Sequence, residues 1–139
     1  MPAMSSAAAA ATRYAAAGGE TSQLDLLIQA HDGMCAKLTE ARDAIRAGDL
    51  ETRFHATRKV GDVLDVLHAA LDFEQGGELA PTLGRLYRYF NRRLIELNAQ
   101  NDPAICDELI GRMSELRGAW SSIGAAPVTL GGRPATMTA

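Results

Sequence analysis

His31, His55, His68, Cys35 and Cys106 are the side chains in this chain best suited to metal or nucleophile chemistry. His31 and Cys35 stand four residues apart, which puts them on one face of a helix, where an imidazole and a thiolate can share a Zn²⁺. A tetrahedral zinc needs four ligands, and no second His or Cys pair supplies the rest, so both read as semi-buried packing residues. Di-iron bundles use Glu-x-x-His motifs on two helices, and none occurs here. No Ser, His and acid set falls at a nucleophile motif, and there is no glycine-rich phosphate loop. Gly76-Gly77 reads as an interhelical turn. The expectation is a protein without metal, cofactor or catalytic residues, one that acts by binding.

His55 raises a second chemistry. Histidine phosphotransfer domains are helical bundles with one exposed reactive His, followed three and four residues later by Lys and Gly. Here those places hold Arg58 and Lys59, with Gly61 further on. A side chain where the glycine is wanted obstructs a docking partner, so His55 reads first as a solvated histidine. Phosphotransfer at His55 is the alternative function, with a non-catalytic helical adaptor as a third. His68 has only a structural reading.

The elements around these residues follow from composition and period. At 139 residues and 47% apolar the chain suits one globular domain. Fourteen Lys and Arg are interleaved with seventeen Asp and Glu for a net charge of −3, which lacks the basic footprint of a nucleic-acid binder. No apolar run reaches the ~20 residues of a membrane span, and the N-terminus lacks a signal-peptide pattern. Two distant cysteines suit a reducing cytosol rather than a disulfide framework.

Residues 1–20, rich in Ala, Ser, Thr and Gly, read as a flexible arm, and residues 124–139 as a disordered tail. Between them, residues 21–123 hold four helical patterns. Leu24, Leu27, Ile28, His31, Met34, Cys35, Leu38, Ala41 and Ile45 form the first stripe, opened by a capping box at Ser22 and Asp25 and stopped by Gly48. Asp49 caps a second pattern with an unusually wide stripe, Leu50, Phe54, Val60, Val63, Leu64, Val66, Leu67, Ala70 and Leu71. Beyond Gln75-Gly76-Gly77 come Leu79, Leu83, Leu86, Tyr87, Phe90, Leu94 and Leu97, with Pro81 tolerated in the first turn. Asp102-Pro103 opens the fourth, with Ile105, Leu109, Met113, Leu116, Trp120 and Ile123. Short connections make neighbours antiparallel, so the fold class is all-α, an up-and-down four-helix bundle.

In order and spacing, Tyr14, Thr21-Ser22, Leu26-Leu27-Ile28, Asp32-Gly33, Leu71-Asp72-Phe73-Glu74-Gln75-Gly76-Gly77-Glu78-Leu79, Leu86-Tyr87-Arg88-Tyr89, Asn98 and Leu116-Arg117-Gly118-Ala119-Trp120 resemble the FliS family of flagellin export chaperones. The likeness covers about residues 14–123. Departures are His31 in place of the Tyr before Asp-Gly, Gln23 in place of a Pro, and the alanine-rich arm before Tyr14. The resemblance implies a cytoplasmic bundle that holds the C-terminal region of flagellin, prevents premature polymerisation and delivers it to the flagellar type III export gate, with no nucleic-acid partner and no membrane insertion. The partner-binding residues expected on it are Leu27, His31 and Met34 on the first helix, Val63, Val66, Ala70 and Phe73 along the second, and Tyr89 on the third. Tyr14 in the arm would cap the groove. The wide apolar stripe of the second helix is the independent sign of such a groove, since one seam does not consume it.

Overall fold

The computed structural model describes residues 20–74 and 77–125, with side chains described from Gln23 to Ser122 outside the same break. Four α-helices follow one another: α1 Glu20–Ala47, α2 Leu50–Ala69, α3 Leu79–Gln100 and α4 Pro103–Ala125. α1 packs on α2 and α4, and α3 closes the ring against the same two. Each seam joins antiparallel neighbours, so the ring is an up-and-down bundle. The arm, Tyr14, Gln75-Gly76 and most of the tail lie outside the described residues.

The joints show why the helices stop where they do. Gly48 takes φ +76°, a left-handed conformation open to glycine without Cβ strain. Its N–H reaches the Ile45 carbonyl at 3.1 Å, and the Asp49 N–H reaches that of Ala44 at 2.8 Å, the paired bonds of a Schellman motif. Asp49 at once caps α2, its Oδ1 accepting the Thr52 N–H at 3.1 Å and its Oδ2 the Thr52 hydroxyl at 2.6 Å. These bonds hold its carboxyl below the usual range. Asn101 (φ 54°) ends α3, and Asp102 Oδ1 accepts the Ala104 N–H at 2.9 Å with Pro103 as first helical residue. Two expectations shift. α1 begins at Glu20, so Ser22 lies inside the first turn rather than capping it, and α4 runs to Ala125, past the expected tail boundary.

The core joins all four helices: Met34 and Leu38 from α1, Val60 and Leu64 from α2, Tyr87, Phe90 and Leu97 from α3, and Cys106, Leu109 and Met113 from α4. Burial pushes the Tyr87 hydroxyl up to about 12 and the Cys106 thiol up to about 11, so neither ionises at neutral pH. Leu50 and Phe54, read from the sequence as core, are half exposed instead.

The seams differ in chemistry. Ion pairs tie α1 to α4, Arg42 to Asp107 at 3.0 Å and Arg117 to Asp32 at 3.0 Å. Between α3 and α4, Glu108 accepts from Arg93 at 2.7 Å, from Arg112 at 3.2 Å and from the Tyr89 hydroxyl. That hydroxyl bond first, with the two guanidiniums, lowers the Glu108 pKa. The α2–α3 seam is sealed by neutral acceptors: Asn98 Nδ2 donates to Thr57 Oγ1 at 3.0 Å and Arg53 Nη1 to Asn101 Oδ1 at 2.8 Å.

Candidate partner-binding surface

Leu50, Phe54, Thr57, Gly61 and His68 recur on α2 at spacings of four, three, four and seven, and Gly84, Arg88, Asn91, Ile95 and Asn98 on α3 at four, three, four and three. Such spacings keep each set on one helix face. The two faces meet. Thr57 bonds to Asn98, Arg88 Nη1 lies 3.4 Å from His68 Nε2, and a Cβ on Gly61 would sit 3.8 Å from Asn91 Oδ1. At Gly84 on the other wall, His68, Arg88 and Phe73 fill the space a side chain would take.

Along it lie the large apolar side chains most open to solvent among the described residues: Leu50 (51% exposed) and Phe54 (50%) at one end, Ile95 (70%) in the middle and Phe73 (55%) at the other end. Phe73 belongs to the α2–α3 connection. Its ring lies 6.3 Å from that of His68, and its Cζ is 3.6 Å from where a Gly84 Cβ would stand. Scattered exposed apolar residues are ordinary, but a row of them along one seam is a candidate docking surface.

The residues expected to bind a partner do not all meet here. Val63 and Val66 are half-buried and Ala70 is exposed, and by helical spacing they form a second strip on the α2 flank turned away from α3. Phe73 was expected beside them. It lies across α2 from that strip, because the connection folds toward Gly84. Leu27 is half-buried against the core and Tyr89 is half-buried over α4. His31 and Met34 are fully buried, 0% and 1% exposed, which withdraws them from surface contact in this state; both face inward on the stripe that builds the core. Leu50, Phe54 and Ile95 were missed. Ile95 follows Leu94 out of phase with the core stripe, and that break in period was its signal.

His31 links two of the motifs. With Nδ1 2.7 Å from the Leu27 carbonyl oxygen, Nδ1 must carry the proton and donate, leaving Nε2 as an acceptor. Nε2 is buried without a partner among the described residues, as is Trp120 Nε1, and the two rings meet edge to face at 6.5 Å. Burial lowers the His31 pKa from 6.5, so the ring packs neutral. One residue on, Asp32 takes the Arg117 fork at 3.0 and 3.4 Å. In the Leu-Tyr-x-Tyr stretch, Tyr87 is core, whereas Tyr89 lies between the Arg92 and Arg112 guanidiniums, each 5.3 Å from its ring centre.

No group of three or more His, Cys, Asp and Glu able to hold a metal occurs among the described residues. Cys35 contacts the Ile110 carbonyl and Ser114 across the α1–α4 seam, and it is free, like Cys106. His55 is exposed with Nε2 3.8 Å from Glu51, and Lys59 stands one turn on from it. No helix among the described residues is long and apolar enough to cross a membrane.

The profile of the family described as "Flagellar protein FliS" matches residues 4–127. The chain is 38% identical over 93 residues to the flagellar secretion chaperone FliS of Salmonella typhimurium, covering 66% of this chain and 69% of that one. It is 35% identical over 100 residues to the flagellar secretion chaperone FliSB of Pseudomonas aeruginosa, covering 72% and 77%. With the FliS of Bacillus subtilis it shares 27% over 96 residues, 69% and 71% of the two chains.

Proposed function

This chain belongs to the FliS family of flagellar proteins, and on that premise we propose that it is a cytoplasmic chaperone for the C-terminal segment of flagellin. It keeps that segment from polymerising too early and assists its export through the flagellar type III secretion system, presenting the loaded complex at the export gate. It acts by binding and not by catalysis. The observation that carries this reading is the α2–α3 groove with Phe54, Ile95 and Phe73 exposed along it. From Leu50 to His68 the groove is about 27 Å long at 1.5 Å per residue, which fits a partner helix of about 18 residues laid apolar face down.

A chaperone must cover an aggregation-prone segment and still let it go. A segment that folds as it binds loses about 2–5 kcal/mol or more of its gross interaction energy to ordering, so a large contact area remains compatible with release. We propose that the partner continues from the groove to the strip of Val63, Val66 and Ala70, with Leu27 beside it. The 21–123 bundle is the binding unit. Residues 1–20 act as an arm in which the amphipathic Tyr14 ring covers the surface before the partner arrives.

The test is co-expression with the flagellin of the same organism, followed by pull-down and by sedimentation of the flagellin under polymerising conditions. A soluble one-to-one complex that stays unpolymerised is expected. Flagellin that polymerises unchanged, with no complex recovered, would overturn the reading.

A further inference from the structure

Among the described residues, Lys37, Arg42, Arg46, Arg93, Arg112 and Arg117 each have a carboxylate within 4.0 Å, and the five arginines lie at the seams of α4. Arg53, Arg58 and Lys59 on α2 have no such pair. Neither do Arg85, Arg88 and Arg92 on α3. They are exposed, and they follow one another on α3 at spacings of three and four, hence on one face over about 10 Å. Each is placed by a group other than a carboxylate: Arg85 Nη2 donates to Thr82 Oγ1 at 3.3 Å, Arg88 Nη1 lies 3.4 Å from His68 Nε2, and Arg92 covers the Tyr89 ring. Asp62 and Asp65 on the neighbouring α2 form no ion pair with them among the described residues. α3 thus carries four arginines and one glutamate in a chain whose net charge is −3.

We propose that Arg85, Arg88 and Arg92 are a recognition rim for an acidic amphipathic helix, a polypeptide with carboxylates spaced three and four apart along the border of its apolar face. Ile95, three residues beyond Arg92 and 70% exposed, supplies the apolar floor beside the rim. The guanidiniums are held in place but not neutralised, so a carboxylate that arrives displaces no existing ion pair, and Arg can take it in a two-bond fork. The small reach of the row and the acidic balance of the whole chain favour a peptide over a nucleic acid, whose phosphates call for a wider basic footprint. The rim borders the same α2–α3 seam, with Ile95 common to both, so the proposal names the chemistry of that site's occupant and rests on the reading of that seam as a binding site.

The experiment uses the full chain and a fluorescent synthetic helix with a Leu face bordered by Glu at positions i, i+3 and i+7, against the same helix with Gln at those positions. Anisotropy is read at several salt concentrations. Rim contacts at this exposure are worth about two- to threefold each, so the Glu probe is expected to bind roughly tenfold more tightly than the Gln probe at low salt. The R85Q/R88Q/R92Q variant, folded by circular dichroism, should lose that preference while still binding the Gln probe as the parent does. Equal binding of the two probes, an undiminished preference in the triple variant, or absence of binding by the Glu probe would each overturn the proposal. So would tighter binding of a single-stranded oligothymidine than of the Glu probe, which would make the row a phosphate contact. None of these outcomes involves flagellin, so the pull-down described above succeeds or fails independently.

Discussion

Replacing Ile95 by alanine separates binding from folding at the centre of the groove. The side chain is 70% exposed in the free protein, so little of its burial contributes to the fold. Alanine is also the better helix former. The thermal midpoint should therefore hold or rise slightly, within about 0.5 kcal/mol of stability. Fully covering an isoleucine is worth about 1.5–3 kcal/mol, and the part still open to a partner amounts to about 1–2 kcal/mol, or about 5- to 30-fold in affinity. Calorimetric titration with flagellin measures the affinity, and scanning calorimetry of the free variant checks the fold. Val66→Ala, on the opposite flank of α2, is the internal comparison; a half-buried valine should cost some stability and less affinity. A dissociation constant for Ile95→Ala within twofold of the parent, with the fold intact, would refute the groove as the main site. A larger loss at Val66 would move the site to the far strip.

Three further outcomes follow from the packing. Because burial depresses the His31 pKa from 6.5, the unfolded chain binds more protons just below that pH, so stability should fall as pH drops from about 6.5, by at most about 1.4 kcal/mol per pH unit for one proton. His31→Phe should flatten that slope in denaturant titrations from pH 7 to 5. Glu108→Gln should lower the thermal midpoint at pH 7 through its weakened bonds to Arg93, Arg112 and Tyr89; as the Glu108 pKa is lowered from 4.5, the difference from the parent should shrink as pH falls below that value. Gly48→Ala places a Cβ at φ +76° and should cost about 1 kcal/mol, read as a lower denaturation midpoint with an unchanged slope.

The helices and their joints were legible because their signals are local. Asp49 and the Asp102-Pro103 pair name their own roles, and the 3.6-residue period of α3 picks out Leu83, Tyr87, Phe90, Leu94 and Leu97, all buried. The candidate binding surface was less legible, for a geometric reason. Period tells which residues share a helix face but not where the neighbouring helix ends its cover. Leu50 and Phe54 lie on the row that contains Thr57 and Gly61, and only the position of α3 shows that this row is the open rim of a seam. Phe73 depends on the path of a connection, which no periodicity encodes. His31 and Met34 were placed on the right helix and the right stripe, yet that stripe is the one the bundle consumes.

The joint at Gly48 and Asp49 bears on how the chain folds. One residue reverses the path and the next begins the following helix, so α1 and α2 are bonded into a hairpin whose contacts are near in sequence. Contacts of that kind form early, because closing so short a loop costs little chain entropy. The α1–α4 seam closes a loop that spans two whole helices and must wait. Contact order therefore predicts that the hairpins at the tight joints form before the ring and that the α1–α4 seam, with Trp120 beside His31, closes last. Adding a single residue between Gly48 and Asp49 would disrupt the bond from the Asp49 N–H to the Ala44 carbonyl and loosen the hairpin on which the ring is built.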